Sequence, residues 1–91
     1  MFKKVLIAED IDAVNTSLKE FLLGIGVKEV VYAPYCDEAY LKCKKAHLEK
    51  EPFDLLICDL SFRKDHRMEK ITSGEELSYI LKKETPELKI I

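Results

Sequence analysis

The sequence predicts an α/β domain built on an open parallel sheet, and two observations predict it. The short apolar runs are near-continuous rather than alternating, as in strands buried on both faces. Segments with helical periodicity separate those runs. Alternation of this kind, closed by right-handed crossovers, gives a parallel sheet with helices on both faces. The 91 residues make one domain, 1–91.

The first run is Val5-Leu6-Ile7-Ala8. A helix follows, because Ile11, Val14, Leu18, Phe21, Leu22 and Ile25 recur at helical spacing and are expected to form its buried face. Gly24 and Gly26 stop it. The second strand is Val30-Val31-Tyr32-Ala33. The second helix has a weaker stripe of Ala39, Tyr40, Cys43 and His47, with Lys42, Lys44, Lys45, Glu49 and Lys50 facing water. Pro52 is expected to end it by disfavouring helix at the residue before it. Leu55-Leu56-Ile57-Cys58 is the third strand. Ser73-Gly74-Glu75-Glu76 then reads as a capping box opening a third helix, with Leu77, Ile80 and Leu81 as its apolar face and Thr85-Pro86 as its close. Leu88-Lys89-Ile90-Ile91 is the last strand, giving β-α-β-α-β-α-β.

Composition narrows the function classes. Hydrophobic residues at 47% and charged residues at 35% describe a globular chain rather than a disordered one. Fifteen basic against seventeen acidic side chains leave a net charge of -2. There is no bulk electrostatic case for direct binding to nucleic acid or to an anionic membrane. No apolar run is long enough to span a bilayer, and the amino-terminal run is too short for a signal peptide. Cys36, Cys43 and Cys58 form neither a C-x-x-C nor a zinc-site spacing. They are expected to be reduced, buried thiols of a cytoplasmic protein.

Ligand sites in open α/β sheets lie beyond the carboxyl ends of the strands. Glu9 and Asp10 follow the first strand and Asp59 follows the third. If those strands are neighbours, three carboxylates converge. Close like charges repel unless a cation neutralises them, and an all-oxygen set suits Mg²⁺. A carboxylate is also a nucleophile for phosphorus, and a divalent ion would screen it from an incoming phosphoryl group. The plainer reading is that Asp10 or Asp12 caps the first helix and Asp59 opens a polar loop. No G-x-G-x-x-G or P-loop follows the first strand, so neither nucleotide-binding motif is present.

These residues resemble the receiver domain of two-component response regulators. The resemblance lies in Lys4-Val5-Leu6-Ile7-Ala8-Glu9-Asp10, in Pro52-Phe53-Asp54-Leu55-Leu56-Ile57-Cys58-Asp59-Leu60, and in Ser73-Gly74-Glu75-Glu76-Leu77. It implies a flavodoxin-like fold in which Asp59 is the phosphoryl acceptor. Asp10 would bind Mg²⁺ directly, Glu9 directly or through water, and the backbone carbonyl of Ser61 would be a further ligand. A sensor histidine kinase would supply the phosphoryl group. The receiver assists its own phosphorylation and dephosphorylation rather than serving as an enzyme for another substrate. The wording is also similar to receivers attached to helix-turn-helix DNA-binding output domains, so DNA contacts would fall to a domain outside these residues.

The chain departs from the family pattern in two places. It ends at the fourth strand, without the Thr or Ser at that strand's end, the Lys after a fifth strand, or the remaining elements. The expectation is a receiver truncated after strand 4, whose exposed strand 4 edge promotes a homodimer or strand-exchanged dimer. The second departure is the segment 60–72, long for a strand-helix connection. Arg63, Lys64, Arg67 and Lys70 outnumber Asp65 and Glu69 within it. It is read as a solvated loop, or one that sets Arg63 or Lys64 against the phosphoryl group or a partner.

Two other functions are considered. A pseudo-receiver would act as a phosphorylation-independent interaction module. A phosphohydrolase on a similar sheet needs a second Asp two residues after the nucleophile, where Ser61 stands. His47 and His66 lack a second His at ligand spacing. Tyr32, Tyr35 and Tyr40 are read as packing or surface residues, and Cys58 as pointing into the sheet.

Overall fold

The computed structural model describes residues 2–9, 11–58 and 74–91. Along the chain lie β1 (Lys4–Ala8), α1 (Asp12–Gly24), β2 (Glu29–Ala33), α2 (Cys36–Leu48), β3 (Leu55–Cys58), α3 (Gly74–Glu84) and β4 (Lys89–Ile90). The strands pair in parallel in the order β2-β1-β3-β4. The open parallel sheet is therefore as expected, and β1 and β3 are neighbours, in register from Val5↔Leu55 to Ala8↔Cys58.

The apolar run in β1 is continuous because both faces of that strand are covered. Val5 and Ile7 pack with Leu22, Val27, Val30 and Leu55, on the α1 side. Leu6 and Ala8 pack with Cys36, Ala39, Leu56, Leu77 and Leu81, on the α2 and α3 side. Val5, Leu6, Ile7 and Ala8 are all fully buried. Alternation along the strand thus splits one run into two core layers.

The buried line of α1 differs from the apolar stripe. Asn15 and Leu22 are its buried residues, and Leu18 is half-buried against the sheet. Ile11, Val14, Phe21 and Ile25 are exposed instead. Hydropathy marks a broad face, but the sheet accepts only one line of it. That line includes Asn15 because its side chain is bonded to the end of β1, as described below.

Both α1 and α2 end in the same chain reversal. After α1, Val27 N–H donates to Leu22 O (3.0 Å) and Gly26 N–H to Leu23 O (3.2 Å), with Gly26 at φ 103°. After α2, Glu51 N–H donates to Ala46 O (3.0 Å) and Lys50 N–H to His47 O (3.1 Å). Both are Schellman motifs. In the second, Lys50 takes the left-handed position, at φ 62°. So α2 is stopped by a reversal at Lys50, before Pro52 can act. Its buried line is Cys36, Ala39, Cys43 and Ala46, whereas His47 is exposed.

In α3, Leu77 and Leu81 are buried as expected. Thr85 closes the helix by donating both its N–H (2.7 Å) and its hydroxyl (2.8 Å) to Leu81 O. Ser73 of the expected capping box lies outside the described residues. Leu88 belongs to the turn before β4, its N–H donating to Thr85 O (3.0 Å). Among the described residues, no helix is long and apolar enough to cross a membrane.

Candidate functional site at the carboxyl end of the sheet

The register that pairs Ala8 with both Ala33 and Cys58 brings three strand ends together. Glu9 follows Ala8 and extends the β1–β2 ladder by one step, its N–H donating to Ala33 O (3.2 Å). The side chain of Glu9 is buried, and its Oε1 accepts the Ile11 N–H (3.2 Å).

The turn into α1 is tied further by Asn15. Its Nδ2 donates to Glu9 O (2.8 Å), and its own N–H donates to Ile11 O (3.1 Å). Asn15 is fully buried, and its Oδ1 has no hydrogen-bond partner. Ile11 is the extended residue before α1 and provides no side-chain cap. Asp12 does not cap the helix as the plainer reading supposed. It lies in the first turn, where a negative charge complements the helix dipole.

Of the residues expected at the site, the structure places Glu9. Asp10, Asp59 and Ser61 lie outside the described residues, as do Arg63, Lys64, His66 and the whole segment 60–72. Among the described residues, no group of three His, Cys, Asp or Glu side chains could hold a metal ion. The donor chemistry of Glu9 nevertheless fits a hard divalent cation. It supplies carboxylate oxygen at a strand end, where Mg²⁺ with its retained waters needs only one or two protein carboxylates. Sequence reasoning missed Asn15. Its signal is an amide within an otherwise apolar helix face.

Cys58, paired with Ala8, is buried on the α2 and α3 side, as strand alternation predicts. All three cysteines are free and buried. Burial pushes the Cys43 thiol up to about 12, so it stays protonated and unreactive at neutral pH. Tyr40 donates its hydroxyl to both carboxylate oxygens of Glu84 (3.0 and 2.8 Å), tying α2 to α3. That bond and burial beside the Glu84 charge raise its pKa.

A second carboxylate marks the opposite end of the sheet. Asp54, just before β3, accepts the N–H groups of Lys3 (2.7 Å) and Lys4 (2.9 Å) through Oδ2. Those two bonds hold its carboxyl below the usual range. The Lys4 ammonium donates to Glu51 O (2.9 Å) and lies 4.7 Å from the Phe53 ring centre. An open cleft of about 490 Å³ adjoins, lined in part by Phe2, Cys43, Phe53, Asp54 and Leu88. It is at the amino end of β3, away from Glu9.

No protein-family model and no curated protein matches the chain. Solved structures do. RcsB from Salmonella enterica serovar Typhimurium, bound to promoter rprA in the presence of the phosphomimetic BeF3-, is 27% identical with a TM-score of 0.70, covering 97% of this chain and 40% of that one. The RcsB response regulator from Salmonella typhimurium, in a structure describing conformational dynamism for DNA interaction, is 29% identical with a TM-score of 0.69, covering 98% and 41%. The chain thus spans about two fifths of the length of these neighbours. The four parallel strands and three helices of the described residues match a flavodoxin-like receiver fold as far as the fourth strand.

Proposed function

We propose that these residues form a phosphoacceptor receiver module of a two-component response regulator. The observation that carries the reading is the β1–β3 register. Ala8 is paired with Cys58, so Glu9-Asp10 and Asp59 follow adjacent strand ends in the chain. Similarity to response regulators over 97% of the chain supports it.

In this reading a carboxylate oxygen of Asp59 attacks a phosphorus carried by a histidine of a sensor kinase. The new O–P bond makes an acyl phosphate as the P–N bond breaks, and the electron pair returns to the imidazole. Glu9, Asp10, Asp59 and the backbone carbonyl of Ser61 would hold Mg²⁺, which when bound offsets the charge of the phosphoryl oxygens. The burial of Glu9 and its bond from Ile11 N–H fix one donor before the cation arrives. An output domain, DNA-binding as in the RcsB neighbour bound to promoter rprA, would read the modification. Self-association through the β4 edge belongs to the same proposal and is tested by light scattering at high concentration.

The decisive experiment is intact-mass analysis after incubation with Mg²⁺ and a small phosphodonor. One phosphoryl group on the wild type, none on Asp59→Ala and none without Mg²⁺ is the expected result. No transfer to the wild type, in this chain or in a longer one containing it, overturns the reading and leaves an interaction module.

A further inference from the structure

We infer that Asn15 is a positioning residue that clamps the turn between β1 and α1 and so holds Glu9, one donor to the cation, in place, an inference that rests on the receiver reading. The side chain is fully buried in a helix face that otherwise meets the sheet through Leu18 and Leu22. Packing alone favours an apolar residue there. A buried amide with an unpartnered oxygen costs stability that a leucine, with the same branched heavy-atom skeleton, would not. Asn15 Oδ1 is such an oxygen.

What the amide supplies is the 2.8 Å bond from Nδ2 to Glu9 O. That bond completes a closed set of ties. Glu9 N–H is held by Ala33 O, Ile11 O accepts the Asn15 N–H, and Ile11 N–H is held by Glu9 Oε1. Glu9 and Ile11 flank Asp10 in the sequence, so the clamp restrains the chain on both sides of it. A backbone carbonyl and a carboxylate of the same residue, Glu9, are thereby each given a hydrogen-bond donor. Supporting groups of this kind tune metal affinity about 10–100-fold through the ligands they orient.

The test compares the wild type with Asn15→Leu, which keeps bulk, and Asn15→Ala, which does not. Three quantities are measured: urea stability, hydrogen exchange of the Ile11 amide without metal, and Mg²⁺ affinity by calorimetry. Asn15→Leu is expected to match or exceed wild-type stability while Ile11 exchange quickens about tenfold and Mg²⁺ affinity falls about tenfold or more. Core amides of β1 stay slow. Unchanged exchange and affinity in Asn15→Leu, with losses only in Asn15→Ala, overturn the inference, because bulk and not the amide then matters. If the wild type binds no Mg²⁺ although Ile11 exchange quickens in Asn15→Leu, the receiver reading fails. Asn15 is then a clamp on a turn that serves no cation, which overturns its positioning role separately.

Discussion

Two carboxylates at opposite ends of one sheet are held in different ways. Asp54 reaches across to another strand and accepts two backbone N–H groups from the start of β1, 50 and 51 residues away in sequence. Glu9 bends onto its own turn and accepts the N–H two residues ahead. The first carboxylate fastens β3 to β1 and is half-exposed, so water and amides together satisfy its charge. The second is buried where a further acid follows in the chain. Long-range bonds to amides stabilise a fold. A buried carboxylate bonded to its own turn carries the desolvation cost of its burial.

That contrast predicts separable phenotypes. Asp54→Ala removes two charge-assisted bonds, worth about 1.5–3 kcal/mol each way in buried settings. Solvent at the half-exposed carboxylate reduces the loss to about 1–2 kcal/mol of unfolding free energy. Urea denaturation measures it, and phosphate incorporation by the folded fraction is expected to stay unchanged. Loss of incorporation in folded Asp54→Ala would break the division between the two ends.

Glu9→Gln should do the converse. Mg²⁺ affinity is expected to fall about tenfold, equivalent to about 1.4 kcal/mol, with stability held or slightly raised because a buried charge is removed. Calorimetry and urea titration on the same sample check both. Lys50→Gly sharpens the comparison from outside either end. The left-handed position favours glycine, so stability should rise by about 1 kcal/mol with no change in Mg²⁺ affinity.

The smallest effect is on the acid limb of stability. The carboxyl of Asp54 is depressed in the folded chain, chiefly by the Lys4 and Lys3 amides. Its contribution is therefore complete above the ordinary carboxylate range and is lost as pH falls through the lowered value. Asp54→Asn should lose stability less steeply than the wild type over that interval. Equal slopes would show that the carboxylate bonds are not what acid breaks.

Much of the architecture was legible because burial on both faces leaves a mark in composition. Val5-Leu6-Ile7-Ala8 and Leu55-Leu56-Ile57-Cys58 read as strands of a parallel sheet, whereas their adjacency, left conditional by the sequence, and their register come from the structure. The candidate site was legible only as acids after strand ends. Glu9 was among them, and the structure places it. Asn15 and Asp54 were not read as important, since an isolated amide in a helix or acid before a strand has many ordinary uses.

The sequence by itself determined the order of elements, the two-sided burial of β1, and the acids that follow β1 and β3. These depend on local periodicity and on chain connectivity. Only the tertiary structure decided which line of α1 meets the sheet, that Lys50 rather than Pro52 reverses the chain after α2, and what Asn15 and Asp54 bond to. Those outcomes turn on contacts between residues distant in sequence or on one backbone conformation. A hydropathy pattern fixes a face to within a broad arc, and packing against the sheet settles which line within it is buried.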